Sequence, residues 1–308
     1  GFFMRTVYEK NSTFYKDMLR LAFPIVIQNL VTTAVSSADV IMLGFVSQEA
    51  LAAGSLASQV MFILNLVYSG ISSGVIMLAA QYWGKKDTLT IEQIMGIAMR
   101  LSIVVSFIFF LLACFCPSLL MHIFTNDKVL IETGIPYLRI VSFSYLFMSF
   151  SQVYLCTMRA IERVIFATAA NGSALILNII LNAVFIFGLL GAPKLGIAGV
   201  ALATTIARGI EFLICIIDTL HFKTLRFRPA TLFQHHKLLF SDFMRYSLPA
   251  FGNEVSWGVA FSMYSVIMGH LGSDMVAANA VVVVARNLGT VVCFGIANAG
   301  AILLGKSI

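Results

Sequence analysis

Leu101-Ser102-Ile103-Val104-Val105-Ser106-Phe107-Ile108-Phe109-Phe110-Leu111-Leu112-Ala113-Cys114-Phe115-Cys116 runs without a charge, a proline or a glycine and stops at Pro117. With the more polar turns before it, the stretch covers residues 92–116. That is long enough, as α-helix, to cross about 30 Å of hydrocarbon. Polar and apolar positions do not alternate here, as a membrane β-strand would require, and a helix pairs every backbone N–H and C=O within itself, as lipid demands. Seven further stretches read the same way, so the spans fall at 18–43, 50–80, 92–116, 136–159, 165–190, 195–220, 242–270 and 275–304.

Turn-forming residues separate them. Gly84-Lys85-Lys86-Asp87 closes the second span, Gly134-Ile135-Pro136 opens the fourth, and Gly191-Ala192-Pro193 divides the fifth from the sixth. The whole chain is 59% hydrophobic and 11% charged, with a mean hydropathy of +0.94. Soluble domains carry about 25% charged residues, so the expected class is an all-α membrane protein, a polytopic helical bundle.

The placement of Lys and Arg orients it. Arg5, Lys10, Lys16 and Arg20 precede or open the first span. Lys85, Lys86, Arg100, Arg159, Arg163, Lys223, Arg226, Arg228, Lys237, Arg245 and Lys306 gather on the same side. Only Lys128, Arg139 and Lys194 fall opposite, with Arg208 and Arg286 inside spans. Positive residues stay cytoplasmic, so we expect a cytoplasmic N-terminus and a multi-pass protein of a bacterial inner membrane. The net charge of +6 is then a topology signal, and no nucleic-acid partner is called for. The five cysteines lie in or beside apolar runs without metal-ligand spacing and read as small packing residues. The expected organisation is a cytoplasmic segment at 1–17, a six-helix N-lobe at 18–220, a basic cytoplasmic linker at 221–241, and at 242–308 the first two helices of a C-lobe whose other four are missing.

An internal repeat supports the two lobes. Leu21-Ala22-Phe23-Pro24 and Tyr246-Ser247-Leu248-Pro249 lie 225 positions apart. The same offset matches Gly44 with Gly269, Glu49 with Asp274, Ala52-Ala53 with Ala277-Ala278, and Gly70 with Gly295. Six spans separate the copies, so both enter the membrane in the same direction. Parallel repeats of this kind build transporters that hold substrate between lobes and rock one against the other. The fold expected is therefore a bundle of two parallel six-helix repeats, about eight spans of it present.

Pro24 with Asp39, Gly44, Ala52-Ala53 and the Gly70/Gly74 region resembles the opening helix pair of the multidrug and toxic compound extrusion (MATE) transporters. Asn178 to Gly188, followed by Gly191-Ala192-Pro193-Lys194-Leu195-Gly196 and Ile197 to Thr204, resembles that family's fifth-to-sixth helix signature. Pro249 with Glu254 resembles its seventh helix. The similarity runs from about residue 15 to 308. It implies a twelve-helix secondary transporter, not an enzyme and without a cofactor, that exports cationic or amphipathic organic compounds in exchange for H⁺ or Na⁺ by rocker-switch alternating access. It also implies a monomer when full length, with membrane lipid and a small-molecule substrate as its partners.

Acids inside hydrocarbon are functional candidates by default. Asp39, in the outer third of the first span, and Glu254, five residues past Pro249, are the expected cation-coupling groups; the family carries coupling acids at the matching positions. Asn171, Asn178 and Asn182 share one helix face and read either as interhelical hydrogen-bond glue or as cavity lining. With Asp39, the carbonyl oxygens of Asn178 and Asn182 could ligate Na⁺. Where some relatives place a second carboxylate this chain has Asn182, whose amide takes up no proton. Gln28, Asn29, Asn65, Tyr68, Tyr264 and Arg286 are further cavity candidates, while Arg208 and Glu211, three apart, read as a structural ion pair. The alternative is a lipid or lipid-linked oligosaccharide flippase of the same superfamily, which would need several intramembrane Arg or Lys. The five His sit outside mid-span, which disfavours a membrane-embedded enzyme.

Overall fold

The structure, a computed structural model, describes residues 41–191, 193–222 and 236–271 continuously, together with isolated positions such as Asp39, Leu225, Thr231 and Arg286. The segment 1–17, Gln28 and Asn29 lie outside the described residues, as do much of the linker and most of the eighth span. A helical turn at 41–44 ends the first span. It is followed by α1 (Gln48–Gly84), α2 (Thr88–Phe115), α3 (Pro117–Phe124), α4 (Lys128–Ala160), α5 (Val164–Phe187), α6 (Ile197–His221) and α7 (Lys237–Leu271). No strand occurs among the described residues, and the expected all-α bundle is what is found. Five helices, α1, α2, α4, α5 and α6, are long and apolar enough to cross a membrane. α7 is 35 residues long and carries Asp242, Arg245, Asn253 and Glu254; it is not among those five.

The helices outrun the hydrocarbon, because short polar caps carry them on into the headgroup region. α1, 37 residues, is about 55 Å long at 1.5 Å per residue. Ser47 caps its start by accepting from the Ala50 N–H at 3.0 Å. Asp87 caps α2, accepting from the Thr90 hydroxyl at 2.6 Å and the Thr90 N–H at 3.1 Å. Those bonds, the hydroxyl's first, hold the Asp87 carboxyl below its ordinary range.

Two boundaries differ from expectation. The fourth span does not open at Pro136; α4 begins at Lys128 and runs through the proline. Asp127 supplies the cap by accepting from the Val129 N–H at 2.9 Å, and Pro136 lies inside the helix, two turns on, where it removes one backbone hydrogen bond without ending it. Pro117 does end α2, but it also opens α3, an eight-residue helix that the sequence reading lacks. α3 lies close on α4, where a side chain at Gly134 would collide with Met121.

α4 is the central element: 72% of its most apolar stretch is buried, against 28–44% for the other four spans. It touches α1, α2 and α6, while α1 also meets α7 and α5 meets α6. On α2 the exposed positions Ile103, Val104, Phe107, Ile108, Leu111 and Phe115 form one stripe. A soluble monomer rarely exposes such a patch, and here lipid covers it. α5 buries Ala167, Ala170, Ala174, Asn178 and Asn182 along one face, and the small residues let α6 approach closely. Gly188 ends α5 in the left-handed region at φ 70°, and Gly196 starts α6 at φ 56°, conformations that cost glycine little.

Candidate functional site

Asp39 is partly buried, and its Oδ1 accepts from the side-chain amide of Asn182 on α5, in a very short contact. The Asn182 amide also reaches Asn178 Oδ1 at 3.3 Å, and Asn178 Nδ2 donates to Thr204 Oγ1 on α6 at 3.1 Å. The Asp39–Asn182–Asn178–Thr204 chain thus joins the first helix, α5 and α6. Asn182 is fully buried and Asn178 nearly so. Asn182 Oδ1 is buried and has no hydrogen-bond partner. An orphaned buried acceptor of this kind costs about 1–3 kcal/mol, so the ladder holds a spare oxygen lone pair beside a carboxylate. Tyr137 of α4 and Arg208 of α6 lie close enough for their electrostatics to couple to Asp39.

The structure brings the candidates Asp39, Asn178 and Asn182 together. Sequence reasoning missed Thr204, since nothing in the sequence separates it from the adjacent Thr205, whose hydroxyl only meets backbone carbonyls; the pairing with Asn178 marks Thr204 out. Asn171 is part-buried two turns away from Asn178 and does not join the ladder.

Tyr68 is buried in a different polar seam. Its hydroxyl meets Ser106 Oγ and, at 3.4 Å, the Tyr145 carbonyl. Ser106 donates to the Ser102 carbonyl at 2.7 Å, and Ser102 to the Ser149 carbonyl at 2.8 Å. This strut ties α1, α2 and α4 together. Asn65 and Tyr264 are exposed, and Arg286 is exposed with its guanidinium 4.2 Å over the Phe261 ring.

Glu254 lies on α7. Cβ positions at Gly70 and Gly74 of α1 would meet Phe251 and Ser247, and one at Gly258 would meet Leu66. Residues 247, 251, 254 and 258 share one helix face, so the half-buried Glu254 sits on the α1–α7 seam, one turn from Phe251 and well apart from the Asp39 ladder in the chain order of the helices. Ion pairs also hold charged side chains among the described residues. Arg208 Nη1 donates to Glu211 Oε2 at 2.6 Å, as the spacing led us to expect. Arg163 grips Asp218 through both Nη atoms at 2.8 and 3.0 Å, and Tyr154 donates to the same carboxylate at 2.6 Å.

Long apolar helices around a buried carboxylate-and-amide ladder are the features of a polytopic membrane transporter. The model of the MatE family matches residues 24–184, and the chain belongs to that family. It is 25% identical over 283 residues to the uncharacterized transporter YisQ of Bacillus subtilis, covering 88% of this chain and 60% of that protein. It is 26% identical over 304 residues to a probable multidrug resistance protein NorM of Rhizobium meliloti, covering 95% and 63%. The chain thus spans about three fifths of the length of the curated relatives it matches. An outward-facing structure of a multidrug resistance MATE family transporter of the MOP superfamily superposes with a TM-score of 0.80 at 21% identity, over 94% of this chain and 65% of that one. At that identity the likeness shows the fold alone.

Proposed function

We propose that the full natural protein is a secondary active exporter of cationic or amphipathic organic compounds, driven by exchange for H⁺ or Na⁺. The observation that carries this is the Asp39 ladder. It gathers a carboxylate, two amides and a hydroxyl in a largely buried interior, and the buried Asn182 Oδ1 is free to accept. Hard monovalent cations favour such oxygen donors, and Na⁺ fits the set through Asp39 Oδ1, Asn182 Oδ1 and Thr204 Oγ1 after the amides turn. A proton fits through Asp39 alone, since the amides take none up. Glu254, on the seam between the lobes, is the second acid in this reading, placed to register whether α1 and α7 are together.

A cation on Asp39 removes a charge from the hydrocarbon interior, so the loaded and empty sites differ by an electrostatic energy that can bias one lobe against the other. The distribution of Lys and Arg supports a cytoplasmic side for Gly84 and Lys237 in this reading, in a bacterial inner membrane. A flippase of phosphorylated lipid calls for free cationic groups in the cavity. Among the described residues Arg208 is committed to Glu211, Arg163 to Asp218, and Arg286 stacks on Phe261, so the cation exporter is the better supported reading.

The test is uptake of ethidium into inside-out vesicles carrying the full-length protein, with a proton or a sodium gradient imposed separately. One gradient alone should drive uptake, and Asp39→Asn should abolish that dependence. Uptake indifferent to both gradients would refute antiport.

A further inference from the structure

α6 shows one side to lipid and the other to the interior. Ile210, Leu213, Ile217 and Leu220 form its exposed stripe. Thr204, Arg208, Glu211 and Cys215 follow at i, i+4, i+7 and i+11 along the opposite side. Thr204 is the last member of the Asp39 ladder. Arg208 stands about 6 Å further along the helix axis, near enough for its charge to act on Asp39 and on Tyr68.

Arg208 gives Glu211 a single N–H, to Oε2. Glu211 has no exposed side-chain surface, and its Oε1 is buried without a hydrogen-bond partner. A carboxylate held for stability alone would be expected to take a two-pronged grip from arginine, as Asp218 does from Arg163. A buried ion pair recovers little more than its own desolvation, and apolar residues of equal size would hold the fold as well. Among the described residues, Tyr68 of α1, Tyr137 and Tyr145 of α4 and Cys215 and Asp218 of α6 are the other titratable groups around this interior, and α5 carries none. Phenols and thiols are ordinarily neutral near pH 7. Asp218, three residues past Cys215, is neutralised by Arg163, and among the described residues Asp39, Arg208 and Glu211 are the charges at issue here.

We propose that Glu211 and Arg208 are a positioning pair that sets the cation affinity of the Asp39 site. Glu211 neutralises Arg208, so that Asp39 keeps its charge for the mobile cation instead of spending it on a fixed one. This rests on Asp39 as the coupling carboxylate. Without Glu211, Arg208 becomes a tethered cation competing at Asp39; with both groups neutral, the competition disappears.

The experiment is ethidium transport by the reconstituted full-length protein as the driving cation is titrated, for wild type, E211Q, E211D, R208Q/E211Q and D39N, each checked for amount and monodispersity. E211Q should raise the half-saturating cation concentration about tenfold with the maximal rate retained, the scale of one uncompensated charge in a partly screened interior. E211D, which keeps the charge, and the neutral pair R208Q/E211Q should stay within about threefold of wild type. Half-saturation unchanged in E211Q, or as high in R208Q/E211Q as in E211Q, overturns the proposal. Should E211Q fail to fold, the neutral pair still decides: a tenfold shift there refutes it. Cation dependence surviving in D39N defeats the reading of Asp39 itself, separately from the pair.

Discussion

Asn182 donates its side-chain amide to the Asp39 carboxylate and so ties α5 to the first helix across the interior of the bundle. The same amide nitrogen reaches Asn178, which leaves the Asn182 carbonyl as the spare acceptor of the site. Asn182→Leu removes both functions while keeping a similar volume. Transport should fall at least tenfold, the usual cost of losing a bond to a charged group. Asn182→Asp supplies a second carboxylate and should retain cation-driven uptake, with a steeper dependence on external pH. Initial rates of ethidium uptake at matched protein amounts compare the two.

Thr204 tests whether the ladder extends to α6. Thr204→Val is nearly isosteric but lacks the hydroxyl that accepts from Asn178 at 3.1 Å. We expect weaker cation dependence, by severalfold, with thermal stability altered by less than about 1 kcal/mol, since single interhelical bonds in membranes average about 0.6 kcal/mol. Titration of the driving cation together with a melting curve in detergent checks both.

The Tyr68 strut should answer differently. Tyr68→Phe removes a hydroxyl that joins Ser106 and the Tyr145 carbonyl without touching the Asp39 ladder. Stability should drop by about 1 kcal/mol, while the cation dependence stays unchanged. A large shift in half-saturation with unaltered melting would assign Tyr68 to the transport site instead.

Much of the fold was legible because lipid is a demanding solvent: it forces long uncharged helices, and their lengths and breaks can be read directly. The site was legible where spacing carries meaning, as for Asn178 and Asn182 four apart on a single helix. What stayed hidden depends on tertiary approach. Thr204 gains its role only from a neighbouring helix, and Tyr68 became part of a strut because Ser106 sits opposite. Pro136 was read as a boundary, yet Asp127 caps the helix two turns earlier and carries it through.

The α1–α7 seam supplies a mechanical prediction. Gly74 leaves no room for a side chain, because Ser247 occupies the position its Cβ would take, and a Cβ at Gly70 would meet Phe251 at 2.8 Å. Gly74→Leu should hold α1 and α7 apart. In a cysteine-free background, Ser247→Cys should resist a membrane-impermeant maleimide in inside-out vesicles, since Ser247 is 6% exposed. Adding Gly74→Leu should make it react, and transport should stop.

The most direct measurement of the central claim is cation release from the purified full-length protein on addition of ethidium, followed as proton release in weakly buffered detergent and as loss of bound ²²Na⁺. Wild type should release one of these cations as substrate binds, and Asp39→Asn should release neither while remaining folded. Equal release from Asp39→Asn and wild type would contradict Asp39 as the coupling site.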